Sequence, residues 1–224
     1  MSKKFELVYG DVNDAIPGFV LTRIRALVDI PLHRVKAGDL GGFVESEGNL
    51  SHDGQAWIGG GASVYEQGRV QDNALAAGSS MVFGNARLGG SARIYDYAQM
   101  SGQARLYGQA RMSGSACMTD DAEAFGNSAI GGNTFLPAGA FIAAHGQYAS
   151  FDIAGSPDDD FVTVYTDRNG QLMVYCAALT GTLDECLAKC RDARPGEPLG
   201  IHGLMLEAVK LRMQSAQRAL RKAA

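Results

Sequence analysis

Four cysteines in 224 residues are too few for a disulfide scaffold. Cys186 and Cys190 stand four apart on an expected helix, an awkward geometry for a bridge. All four read as reduced thiols in a cytoplasm. Charged residues make up only 20% of the chain and aromatics only 8%. There is no basic excess: the formal net charge is −4. General nucleic-acid binding therefore loses weight for the whole molecule, though not for a local patch. Long apolar runs are missing as well. The apolar segment from Ala15 to Ile30 carries Arg23, Arg25 and Asp29, so neither a signal sequence nor a membrane span is expected.

Glycine, by contrast, is abundant at 29 residues, and it is periodic. Every sixth residue from Ala56 to Ala140 is small, over fifteen positions. Two residues after each stands an apolar residue, as in Ile58, Leu88, Leu106 and Ile142. Two residues before stands Gly or Asp, with Glu66 and Ala138 as exceptions. Each hexad reads as five strand residues and a one-residue corner. In Asn85-Ala86-Arg87-Leu88-Gly89 the side chains alternate out and in, and Gly90 turns the chain. One small and one aliphatic residue per hexad fill a narrow tube, and successive coils stack as in other solenoids.

The three registered columns resemble the hexapeptide-repeat, left-handed parallel β-helix superfamily. The wording Val82-Phe83-Gly84-Asn85-Ala86-Arg87 and Leu106-Tyr107-Gly108-Gln109-Ala110-Arg111 is similar to that of a group of prophage and bacterial repeat proteins. So is the approach segment Val35-Lys36-Ala37-Gly38-Asp39-Leu40-Gly41-Gly42-Phe43-Val44. Some of those proteins carry a transferase label. The resemblance covers about half the chain, roughly residues 42 to 147. It implies a triangular coil of 18 residues and about five to six coils in all. Gly42 and Gly48 are expected at corners of a degenerate first coil, with Val44 and Leu50 in its first inward slot.

The expected organisation is an N-terminal cap over 1–40, a β-helix over 41–150, a linker over 151–160 and a small α+β tail over 161–224. Alternation from Val20 to Val28 predicts a cap strand over the open end of the first coil. Gly155-Ser156-Pro157-Asp158-Asp159-Asp160 reads as the linker. The tail reads as a ββαα unit. A hairpin turns at Arg168-Asn169-Gly170, and Thr182 with Glu185 opens a helix to about Ala193. Pro195 and Pro198 break it, and a second helix runs from Ile201 to near Arg221. The class is thus mostly β, a left-handed parallel β-helix with a small C-terminal unit.

An 18-residue coil sorts the outward residues into faces. One carries Arg69, Arg87 and Arg105, then Glu123. A second carries Trp57, Leu75, Arg93 and Arg111, with Tyr95 beside them. Arg69, Arg87, Arg105, Arg93 and Arg111, with Tyr95 and Tyr107, are the candidate binding residues. Solvated arginines covering apolar surface with their stems are the plain alternative. The third face has no charge at its strand positions and carries Tyr65, Met81, Phe83, Tyr97 and Phe135. It is the candidate interface of a homo-oligomer, a trimer or dimer, or a surface covered by the terminal segments.

Superfamily acyltransferases use a histidine near a subunit boundary and often an extruded loop. The fifteen hexads hold no insertion. His52 is expected to pack in the inward column, and His145 to face outward on the last coil. Zinc enzymes of this fold need three histidines close together, whereas His52 and His145 lie roughly 25 Å apart at strand spacing. Cys176, Cys186 and Cys190 lack paired metal-site spacing. No phosphate loop or nucleophile motif is present. No catalytic residue, metal or cofactor is therefore expected. The first reading is a non-catalytic binding or assembly protein, phage-encoded and acting on a host protein or complex. The second is an acyltransferase, by fold analogy. The third is a nucleotide or nucleic-acid binder using the arginine ladders.

Overall fold

A computed structural model describes residues 3–144, 146–152, 161–176, 180–192 and 201–223. The chain is a β-solenoid of about six turns with two C-terminal helices. Its three walls are parallel sheets. One contains the Ser63, Met81, Gln99, Cys117 and Phe135 rungs. A second stacks Trp57, Leu75, Arg93, Arg111 and Ala129, and a third Arg69, Arg87, Arg105, Glu123 and Phe141. Partners on each wall are 18 residues apart, as the hexad phase requires.

The corners differ from the expected single residue. Most are four-residue turns closed by the small residue's amide, which donates to the carbonyl three residues earlier. Ala92 N–H to Gly89 O at 3.2 Å is one instance. The first central residue has positive φ, as at Gly90 (63°), except in the turn from Pro137 to Ala140, where the second, Gly139, does (78°). Two residues per hexad then remain in strand pairing, as in Arg87–Leu88. The out–in alternation survives: Ala86 and Leu88 are buried, and Asn85 and Arg87 are exposed. The tube interior is closed to solvent, with Ala104, Leu106, Ala110 and Met112 all at 0% exposure. Burying a Leu or Met side chain contributes about 1.5–3 kcal/mol, and a large inward side chain recurs at most hexads, with Ala76 and Ala124 as exceptions.

The first coil departs from the expected register. Val44 pairs with Val64, and Leu50 bridges to Val70, both 20 residues apart, before Trp57 and Leu75 restore 18. Two extra residues therefore sit in the segment between Leu50 and Trp57. Gly42 is not a corner but a residue of the Leu40–Val44 strand, and Gly48 lies in a 3-10 turn. Gly42 is small because a Cβ there would stand 2.4 Å from the Ala62 carbonyl oxygen. His52 falls in the enlarged segment, not in the inward column. It is still packed and hydrogen-bonded: its ring stacks on Phe5 at 4.5 Å, and Nδ1 accepts the Lys4 amide at 3.1 Å.

The N-terminal cap is a hairpin of Phe5–Asn13 and Leu21–Ala26, antiparallel to each other. Leu21–Ala26 pairs antiparallel with Leu40–Val44, which joins the first wall in parallel. Phe5, Ile24, Ala26 and Ile30 complete the solenoid core at this end. At the other end Tyr165 enters the same core, and Tyr148, Met173 and Tyr175 pack against it.

The tail holds more strand than expected. Tyr148–Asp152, Phe161–Thr166, Leu172–Tyr175 and Gly181–Thr182 form one antiparallel sheet. Residues 151 and 152 are strand rather than linker, and residues 153–160 lie outside the described residues. The helices are Leu183–Asp192 and Ile201–Ala223. Thr182 and Glu185 form the capping box, with Thr182 N–H to Oε2 at 2.9 Å and Glu185 N–H to Oγ1 at 3.2 Å. Pro195 and Pro198 lie outside the described residues. Cys176, Cys186, Leu187, Leu206 and Met213 build a second core there. None of the four cysteines is in a disulfide among the described residues.

Candidate functional site

Strand register decides where each arginine stands. Arg69, Arg87 and Arg105 are consecutive partners on one wall, and Arg93 and Arg111 on the next. Neighbours in such a ladder are about 4.8 Å apart at the backbone. Like charges at that separation repel by roughly 1 kcal/mol in water, less with salt. Acidic compensation is partial. Arg105 Nη1 lies 3.7 Å from Glu123 Oε1, which also receives Arg168 Nη2 at 3.2 Å. Such exposed pairs contribute little. Arg93 Nη1 donates to Tyr95 Oη at 3.4 Å. Arg69, Arg87 and Arg111 have no acidic partner among the described residues.

Beside the first ladder lies an open cleft of about 470 Å³, lined by Gln71, Asp72, Arg87, Gly89, Gly90, Arg105 and Tyr107. Three of the sequence candidates meet here: Arg87, Arg105 and Tyr107. Arg69 does not line it, and Arg93, Arg111 and Tyr95 stand on a different wall. Gln71, Asp72, Gly89 and Gly90 are the additions. Their signal was positional, because 71, 89 and 107 are one column at the 18-residue period. Tyr107 stacks on Phe125 at 5.1 Å with planes 6° apart, and Phe125 meets Phe141 edge-on at 4.9 Å. Arg168 lies 5.9 Å from the Phe141 ring centre. Burial, and then Glu123, hold the Tyr107 phenol above its ordinary value, so it is a neutral O–H at pH 7.

The uncharged face is covered at both ends by the chain itself. Tyr65 is 6% exposed, stacks on Phe83 at 5.0 Å and packs against Phe19 at 4.8 Å. Phe135 stacks on Tyr175 at 4.7 Å. In the middle coils Met81 is half-buried, whereas Tyr97 is 67% exposed.

No described histidine lines the cleft. His33 is half-buried with Nε2 unpaired among the described residues, and burial, then Arg93, lowers its pKa. His145 lies outside the described residues, as does the side chain of His202. Among the described residues no group of three or more His, Cys, Asp or Glu could hold a metal. No described helix is long and apolar enough to cross a membrane.

No protein-family model matches this chain, and it matches no curated protein.

Proposed function

We propose that the chain is a non-catalytic binding scaffold whose arginine-bearing walls receive an acidic protein partner. One observation carries this reading. Arg69, Arg87 and Arg111 stand in like-charge ladders without an acidic partner among the described residues, although the chain holds 24 acidic residues. An arrangement that repels itself in the free protein is relieved when a partner brings carboxylates. Rigid stacked strands hold the guanidinium stems in register, so little backbone order has to be gained on binding. On the resemblance to prophage repeat proteins, the partner is a host protein. A homo-oligomer built on the uncharged face has only the middle coils to use, where Met81 and Tyr97 lie.

The test is capture from host lysate by the wild type and by an Arg69→Glu, Arg111→Glu double variant. An acidic protein should be retained by the wild type, released by salt and absent from the variant eluate. Equal capture by both proteins refutes the reading.

A further inference from the structure

The aromatic column beside the first ladder is interrupted. Tyr107 and Phe125 stack on adjacent coils, but the next residue in the column is Gly89, followed by Gln71. Gly89 is not required by its backbone, since its φ is outside the left-handed region. Gly89 is buried, and a Cβ there would meet the Asp72 Oδ2 at 3.1 Å and the Gln71 side chain at 3.5 Å, so both side chains lean over it. The missing side chain leaves one face of the Tyr107 ring uncovered, and Tyr107 is 38% exposed. Tyr107 and Gln71 stand two coils apart, about 9.6 Å at the backbone, and a planar ring fits on Tyr107 once the flexible Gln71 side chain, which lies over Gly89, swings aside. On the uncharged face, Phe19 of the same chain closes the corresponding end of the Tyr65–Phe83 stack. Among the described residues no ring does so for Tyr107.

The walls of this slot are not apolar. Arg87, which has no acidic partner among the described residues, and Arg105, which is 3.7 Å from Glu123, both line it and suit a phosphate. Gln71 and Asp72 offer donors and acceptors to the polar edge of a heterocycle. Asp72 is anchored, because Oδ2 already accepts the Gly90 amide at 2.8 Å.

We propose that this slot binds a nucleoside monophosphate, its base stacked on Tyr107 over Gly89 and its phosphate held by Arg87 and Arg105. The slot shares Arg87 with the protein-partner reading, but the two are separable by the other arginines. Arg69→Glu and Arg111→Glu lie outside the slot and should abolish partner capture while leaving nucleotide binding intact.

Calorimetric titration of the full chain with the four nucleoside 5′-monophosphates, ribose 5-phosphate and adenosine tests it. At least one nucleotide should bind about tenfold or more tightly than ribose 5-phosphate or adenosine, since each supplies only half of the recognition. Tyr107→Phe should retain that affinity, and Tyr107→Ala and Arg87→Gln should each lose about tenfold. Gly89→Phe, which completes the aromatic column, should abolish binding. If Gly89→Phe does not fold, the two Tyr107 variants decide alone. No nucleotide binding, nucleotides no tighter than ribose 5-phosphate, or equal affinity of Tyr107→Ala and wild type would each overturn the proposal.

Discussion

Asp72 Oδ2 accepts the backbone N–H of Gly90 at 2.8 Å, one coil further along the same corner. Asp72 holds φ at 59°, a conformation that costs a non-glycine residue roughly 1–2 kcal/mol. The same device recurs at Asp96 with the Gly114 amide, and at Glu66 with the Gly84 amide. A charged acceptor on a backbone donor offsets the strain, so an acidic residue can replace glycine at a corner.

Replacing Asp72 with Ala keeps the strain and removes the bond, and should cost about 1–3 kcal/mol. Asp72→Gly removes both and should cost less. Thermal melts of the two variants against wild type check the order. Ala equal to or better than Gly would refute the account of the corner.

The small column sets the width of the tube. Ala104 is fully buried, so Ala104→Leu should lower stability by roughly 1–3 kcal/mol through overpacking. Gln103→Leu, on the exposed neighbour, should stay within about 0.5 kcal/mol. Similar melting temperatures for both variants would count against the inward assignment.

Buried hydroxyls in that column are not equivalent. Ser80 Oγ has no hydrogen-bond partner among the described residues, whereas Thr134 Oγ1 donates to Gly131 O at 2.6 Å and lies 2.7 Å from Ser150 Oγ. Ser80→Ala should raise stability by about 1 kcal/mol, and Thr134→Ala should lower it by a similar amount or more. Denaturant titration reads both signs, and a destabilised Ser80→Ala would show that its hydroxyl is satisfied.

Lys4 is 4% exposed, and burial lowers its pKa to about 8 from an ordinary value near 10.5. The unfolded chain therefore binds the proton more tightly than the folded one between those values. The destabilisation is full below pH 8 and fades as pH rises through 8 toward 10.5. Lys4→Met should raise stability at pH 7 by roughly 1–3 kcal/mol, and by clearly less at pH 9.5. A gain that is equal at both pH values would exclude titration of Lys4 as its source.

Much of the architecture is legible in one dimension. The inward pairs, the left-handed corners at Gly90 and Gly102, and the Thr182–Glu185 cap are all local consequences of side-chain size and backbone freedom. The first coil was misread because its two extra residues, between Leu50 and Trp57, are invisible to a six-residue count. Only strand pairing shows that Val44 belongs with Val64. The cleft was half legible. Arg87, Arg105 and Tyr107 stood out as residue types, but Gly89 matters for the side chain it lacks, and that shows only once Tyr107 is stacked beside it.

The sequence by itself determined the coil: a period of six with a small and an aliphatic residue inward admits one packing of the tube. Tertiary structure alone decided which outward surface stays open. Phe19 lies 46 residues before Tyr65 and Tyr175 lies 40 after Phe135, yet each covers a ring of the uncharged face. Such contacts come from terminal segments folding back over the solenoid, and no periodic pattern encodes where they land. The arginine wall keeps Arg69 and Arg87 exposed because covering them without a carboxylate would strip their charges of water at no compensating gain.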